Sequence, residues 1–303
     1  MRRPTTWWSS SPTRLEPARG FHRWGGPSGQ TPSVAHSEEP IAGTKPTPRH
    51  PSAGNLGARP ALVKQTPEIE SLPPESFPAG AEDGPASALG PDLDPELCSR
   101  LLGSVEGKRV LELGAGTGRM AVALAAAGAK VITVDPSMER VADARDVAEQ
   151  SGTKIEYHHG DFADLAFVRG DQIDLVIAAY SLAAVDDLGR VFRQVNRVLR
   201  NEATFVISLP HPLALMTSIA DGSPRLTRTA FDTSTISWNV DGETGIVHPH
   251  QLGDIVTTLW RSNFRVDTML EPRPMIGDGP SPHWTPLGEW IPTSVLIRSR
   301  KQA

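Results

Sequence analysis

A doubly wound α/β fold, with a mostly parallel sheet and crossover helices on both faces, is predicted for residues 86–303 by three observations. Five short apolar runs, each closed by turn residues, alternate with helical patterns. The first run ends in a glycine turn, Gly114-Ala115-Gly116-Thr117-Gly118, and the second ends in the acid Asp135.

Taken in chain order, Arg109–Leu113 is the first strand, with Glu112 near its end, and a helix is expected from about Thr117. Lys130–Val134 is the second strand, with Asp135 and Pro136 directly after it, and Lys154–His158 is the third. His158 and His159 close that strand and are read as solvent-facing or packed. Gly160-Asp161-Phe162 follows, a turn in which Asp161 can cap the next segment. Ile173–Ala178 is the fourth strand, and it leads into Ala178-Ala179-Tyr180-Ser181. From Asp186 to Arg200, Leu188, Val191, Phe192, Val195, Val198 and Leu199 recur at three- and four-residue steps, so one stripe of a helix is apolar. Asp186 and Asp187 open it and Arg197 and Arg200 close it, matching the helix dipole. Asp186 is thus read as a helix start and not as a catalytic acid. Thr204–Leu209 is the fifth strand, Gln251 to Ser262 a further amphipathic helix, and Asn263–Val266 and Ser294–Arg298 the last two strands.

The glycine spacing is G-x-G-x-G, and the position where a dinucleotide fingerprint needs its third glycine holds Arg119. Such a turn lets backbone approach a ligand with no Cβ between them. The helix start beyond it presents unpaired N–H groups, which suit a phosphate or a carboxylate equally. A carboxylate at Asp135 can accept from both hydroxyls of a ribose, and this alone would serve NAD as well.

In combination, Glu112, the three glycines, Asp135 and Gly160-Asp161-Phe162 resemble the class I S-adenosylmethionine-dependent methyltransferases, including the broad small-molecule group with ubiquinone and menaquinone enzymes. The likeness covers roughly Asp92 to Arg300. It implies a Rossmann-like methyltransferase fold with seven strands, the last antiparallel, and S-adenosyl-L-methionine as cofactor. It also implies that Glu112, Gly114, Ala115, Gly116 and Gly118 border the methionine part, that Asp135 with Pro136 holds the ribose, and that Asp161 and Phe162 lie beside the adenine. Backbone carbonyls at Ala178 or Ala179 would receive the amino group, and Tyr180 would either flank the sulfonium or serve as packing. An NAD(P)-dependent oxidoreductase and a non-catalytic cofactor-binding module are the alternatives.

Sixteen of the 28 prolines precede residue 93, among Ser, Gly and Thr and without apolar periodicity. Such a segment cannot bury enough surface to offset its ordering entropy, so residues 1–85 are expected to be a disordered tail. Residues 1–60 carry eight Lys or Arg against three Glu, residues 61–92 one Lys against six acids, and residues 93–303 a net charge of −5. An acidic domain is a poor match to nucleic acid. Cys98 is the single cysteine, and no segment approaches the ~20 apolar residues of a membrane span. With no secretory leader apparent, the cytoplasm is the expected location.

The expected partner is a small-molecule methyl acceptor, because the turn after the fourth strand lacks the Asn/Asp-Pro-Pro-Tyr/Phe motif of base-amino methylases and the paired-glutamate loop of arginine methyltransferases. Residues 210–250 are too long for an ordinary connection and are read as a substrate lid. Glu271–Pro292, rich in proline with Trp284 and Trp290, is read as a second flap offering flat walls to an aromatic acceptor. A hydroxyl acceptor needs a base, and His211, after the fifth strand, His248 and His250, heading the next helix, are the candidates. Two histidines with no carboxylate at ligand spacing make a poor metal site, so no metal is expected.

Overall fold

A computed structural model describes residues 89–90, 93–240, 243–275 and 285–303. The expected disordered tail, residues 1–85, therefore lies outside the described residues.

One seven-stranded sheet organises the domain, in the order β10-β11-β5-β4-β1-β2-β3. The strands are β1 (Arg109–Leu113), β2 (Lys130–Asp135), β3 (Glu156–His159), β4 (Ile173–Ala179), β5 (Leu199–Pro210), β10 (Phe264–Leu270) and β11 (Ser294–Lys301). β1 to β5 pair in parallel, and β11 runs antiparallel between β5 and β10. The seven-stranded, mostly parallel sheet expected from the sequence is thus observed, with its last strand reversed. Each central strand buries both faces, as in β4, where Leu175, Val176, Ile177 and Ala178 are all fully buried. That is why the strands read as continuous apolar runs and not as alternations.

Alternate side chains feed two cores. On one face Val110, Val131, Leu175, Ile177, Val206 and Leu296 pack under α1 (Pro95–Leu102) and α2 (Arg119–Ala126). Cys98 lies in that core, and burial pushes its thiol up to about 12, so it is an inert packing residue. On the other face Leu111, Val134, Val176, Phe205 and Ile297 meet α4 (Leu188–Val198) and α6 (Leu252–Arg261). Phe205 is wedged between Phe192 of α4 and Phe264 of β10, with 5.6 Å between ring centroids in each pair. α3 (Met138–Gln150) joins α2 on the first side of the sheet's outer strands.

Boundaries shift where backbone chemistry outweighs apolar spacing. α2 starts at Arg119, later than expected, because Gly118 takes left-handed backbone, φ 76°, as its cap. α4 starts at Leu188 and not Asp186, since Asp187 is the cap and its Oδ1 accepts from the Arg190 N–H at 3.2 Å. β5 begins five residues early, at Leu199, which pairs with Ile173 before an irregularity in register.

The insertion between β5 and α6 has structure of its own. It comprises the short helix α5 (Pro212–Leu215), a hairpin of β6 (Thr217–Ala220) and β7 (Ser223–Leu226), and a second hairpin of β8 (Ile236–Val240) and β9 (Glu243–Val247). Of the second flap, residues 276–284 lie outside the described residues, Trp284 included.

Candidate functional site

Parallel strands deliver their carboxyl ends to one edge of the sheet, and there the strand order reverses between β1 and β4. The glycine turn after β1, Asp135 at the end of β2, the Gly160-Asp161 turn after β3, Tyr180 after β4 and His211 after β5 all stand on this edge.

The three glycines of the turn do different work. Gly114, at φ 100°, lies against Ser181, whose side chain would be 2.5 Å from any added Cβ, and whose hydroxyl donates to the Leu113 carbonyl. At Gly118 an added Cβ would sit 2.8 Å from the Ala144 Cα, so this glycine lets α2 approach α3. Gly116, at φ 50°, has no heavy atom of the described residues within 4 Å of where its Cβ would be. Packing thus explains the outer glycines, and open space faces the middle one.

Asp135 is 1% exposed. Its Oδ2 accepts from the Ala115 N–H at 2.8 Å and its Oδ1 from the Ser137 N–H at 2.7 Å, while Arg140 approaches Oδ1 at 3.8 Å. The carboxylate therefore ties the glycine turn to the start of α3. With about four lone-pair positions, it keeps acceptor capacity beyond these two backbone bonds. Pro136 is held too, because its carbonyl accepts from His159 Nε2 at 3.0 Å. His158 stacks on Phe167, ring centroids 3.8 Å apart, so both β3 histidines are structural.

Glu112 is buried, and its Oε2 accepts from the Thr133 hydroxyl at 2.7 Å. Burial, only partly countered by that bond, and the nearby Asp135 raise its carboxyl to about 8. It is a largely protonated acid packed against the sheet, with Thr133 as its hydrogen-bond partner. Asp161 is exposed and accepts from the Ala163 N–H at 2.8 Å, the ordinary turn weighed from the sequence. Phe162 is 6% exposed and packs in the main core with Leu165 and Val134.

On the other half of the edge, Tyr180 takes left-handed backbone, φ 59°, which is uncommon for a bulky residue. Its N–H donates to the Ser208 carbonyl at 3.0 Å, its hydroxyl bonds to Ser294, and its ring lies against Gly90. Ser208 Oγ is buried with no hydrogen-bond partner among the described residues. Ala178 is wholly buried, in the main core.

His211 is 2% exposed and caps α5. Its Nδ1 accepts from the Leu213 N–H at 3.1 Å, which places the neutral ring's proton on Nε2, 2.7 Å from Glu271 Oε1. With both nitrogens engaged, His211 has no free lone pair in this arrangement. His250 differs. Its Nε2 donates to the Val185 carbonyl at 2.7 Å, which leaves Nδ1 as the basic nitrogen. Burial lowers its pKa below the usual imidazole range, so it is neutral near pH 7. His248 Nδ1 lies 3.6 Å from Asp186 Oδ1, and no cluster of three metal-ligating side chains occurs among the described residues.

Sequence reasoning missed Ser137, Ser181, Ser294 and Glu271. Ser137 had a legible signal, since Asp-Pro-Ser ahead of an amphipathic run marks a cap; the other three depend on pairings 60 or more residues apart.

Residues 110–202 match the family described as "Methyltransferase domain". The chain is 31% identical over 145 residues to the ubiquinone biosynthesis O-methyltransferase of Bordetella avium, which covers 47% of this chain and 60% of that protein. It is 34% identical over 115 residues to the magnesium-protoporphyrin O-methyltransferase of Rhodobacter capsulatus, covering 37% and 50%. The chain thus spans about half the length of these curated relatives. In fold it is similar to a crystal structure of an S-adenosylmethionine-dependent methyltransferase from Mesorhizobium loti, with TM-score 0.59, 24% identity, and coverage of 71% of this chain and all of that one. The resemblance to the class I S-adenosylmethionine-dependent methyltransferases read from the sequence is borne out, and so is its Rossmann-like methyltransferase fold. S-adenosylmethionine is the cofactor these likenesses imply, and the open cradle at Gly116 beside Asp135 fits it.

Proposed function

We propose that this protein transfers a methyl group from S-adenosylmethionine to a small, hydroxylated aromatic acceptor. The observation that carries the reading is the glycine turn. Its middle residue faces open space at positive φ, directly beside a carboxylate that ends the neighbouring strand.

Bound S-adenosylmethionine supplies an electrophilic sulfonium methyl, so little is asked of the protein beyond placement and exclusion of water. Asp135 would hold the ribose hydroxyls with the lone pairs left by Ala115 and Ser137. Gly116, with Ala115, would let backbone approach the methionine part, in a turn whose shape Gly114 and Gly118 permit by packing, and Asp161 would stand on the adenine side. Tyr180, fixed by Ser208 and Ser294 and covered by Gly90, walls the region between cofactor and acceptor. His250 takes the acceptor's proton at Nδ1. Its support is the Val185 bond, which fixes the tautomer next to the segment following β4, and a lowered pKa that keeps the ring unprotonated at neutrality. The hairpins of residues 210–250 form the lid over the acceptor.

The curated relatives named above are O-methyltransferases by name, which favours an oxygen acceptor here. Tritium-labelled methyl transfer from S-adenosylmethionine into a metabolite extract tests the reading. Label in an extractable small molecule, absent with Gly116→Asp, is expected; no label in any fraction from protein that binds the cofactor would overturn it.

A further inference from the structure

We propose that the cleft at the carboxyl end of β10 binds the hydroxyl-bearing end of the methyl acceptor, with Glu271 as the residue that recognises it. The proposal rests on the methyl-transfer reading above and adds the acceptor's anchor to it.

Topology puts Glu271 in the right place. β10 and β5 are both antiparallel to β11, so they are parallel to each other. Glu271, next after Leu270, therefore stands on the same edge of the sheet as His211, Tyr180 and the glycine turn.

The carboxylate is also aimed. An ordinary surface ion pair has two exposed, mobile partners. Here the partner is His211, whose side chain is 3% exposed and whose Nε2–H donates at 2.7 Å, while that of Glu271 is 44% exposed. The Leu213 N–H on Nδ1 keeps the imidazole proton on the side of Glu271. His211 is in this sense a positioning residue, since it fixes one oxygen of Glu271 and leaves the remaining lone pairs to accept from a ligand.

What faces Glu271 suits an aromatic ring with a hydroxyl. The cleft has about 230 Å³ of room and is bordered by Arg273, Glu289, Trp290 and Pro292 as well as Glu271. Trp290 is 57% exposed, a flat apolar wall beside a fixed acceptor-only group. A hydroxyl donating to Glu271 with its ring against Trp290 satisfies both.

The test uses the full chain saturated with S-adenosylhomocysteine and follows tryptophan fluorescence on titration with catechol, and separately with 1,2-dimethoxybenzene, which keeps the ring and lacks the hydroxyls. Wild type is expected to prefer catechol. Glu271→Gln and Glu271→Ala should each weaken catechol by about tenfold, leave dimethoxybenzene unchanged, and leave S-adenosylhomocysteine affinity unchanged. His211→Leu should lose the same preference, and His211→Gln, which can both donate and accept, should restore it. Equal catechol affinity in wild type and Glu271→Gln would overturn the proposal, as would a wild-type complex that ignores catechol. Failure of wild type to bind S-adenosylhomocysteine is a different result, which overturns the methyl-transfer reading beneath it.

Discussion

Replacing Gly116 and Gly118 by alanine, one at a time, separates ligand approach from packing within a single turn. At Gly116 the added methyl meets no atom of the described residues within 4 Å, so its cost to folding is that of holding a non-glycine residue at φ 50°. That cost is about 1–2 kcal/mol, offset by roughly 0.4–1 kcal/mol from a stiffer unfolded chain. The net loss is about 1 kcal/mol, a fall in Tm of roughly 2–4 °C for a domain of this size. At Gly118 the same methyl lands 2.8 Å from the backbone Cα of Ala144, which no rotamer change can relieve. Left-handed strain and overpacking of about 1–3 kcal/mol then add. Gly118→Ala should melt well below Gly116→Ala. Calorimetry with S-adenosylhomocysteine supplies the other half, because in Gly116→Ala the methyl occupies the space proposed for the ligand, and affinity should fall about tenfold or more, ~1.4 kcal/mol. A Gly116→Ala protein that binds as wild type does would show that the open side of the turn is not where the ligand lies.

Asp135→Asn removes the charge and sets an amide where two backbone N–H groups now donate; stability should fall by about 1–3 kcal/mol and S-adenosylhomocysteine binding should be lost, both readable in one melt series with and without ligand. Glu112 sits at about 8 in the folded protein against an ordinary 4.5, so the stability it permits is complete below pH 4.5 and declines as pH rises toward 8. Glu112→Gln lacks that decline, and its Tm should overtake that of wild type between pH 7 and 9; parallel curves would exclude a protonated Glu112. His250 has a folded pKa below its ordinary value, so its contribution to stability is present above about pH 6.5 and is lost as pH falls through the lower folded value. For the same reason the acid limb of kcat should lie below pH 6.5, and His250→Ala should lower kcat by about 10²-fold with KM little changed; equal kcat in the variant would remove His250 from proton transfer.

Much of the fold was legible because its signals are local. The run from Val110 to Leu113 and the stripe from Leu188 to Val198 depend on neighbours in sequence, whereas the caps at Asp187 and Gly118 set helix starts that apolar spacing alone misplaces. The β6–β7 hairpin was legible too and went unread. Asp221-Gly222, both at positive φ, is the two-residue turn that an Asp-Gly pair favours between short extended runs. Residues 210–250 showed as a long insertion, yet their hairpins did not. At the site, the glycine turn and Asp135 were readable as a pair because they end adjacent strands. What Phe162, Glu112 and His211 do was not, because burial and partner choice are set by distant residues: Leu165 and Val134 around Phe162, Thr133 on Glu112, and Glu271 on His211. His211 is the clearest case. Position alone marks it as a base, and only the donor on one nitrogen and the carboxylate on the other show that its lone pair is spent.

Calorimetric titration of the purified protein with S-adenosylhomocysteine and, in parallel, with NADH bears most directly on the glycine turn and Asp135. Saturable one-to-one binding of S-adenosylhomocysteine, abolished in Asp135→Asn, with no heat from NADH, is expected. Uptake of NADH with indifference to S-adenosylhomocysteine would contradict the whole assignment of this crevice.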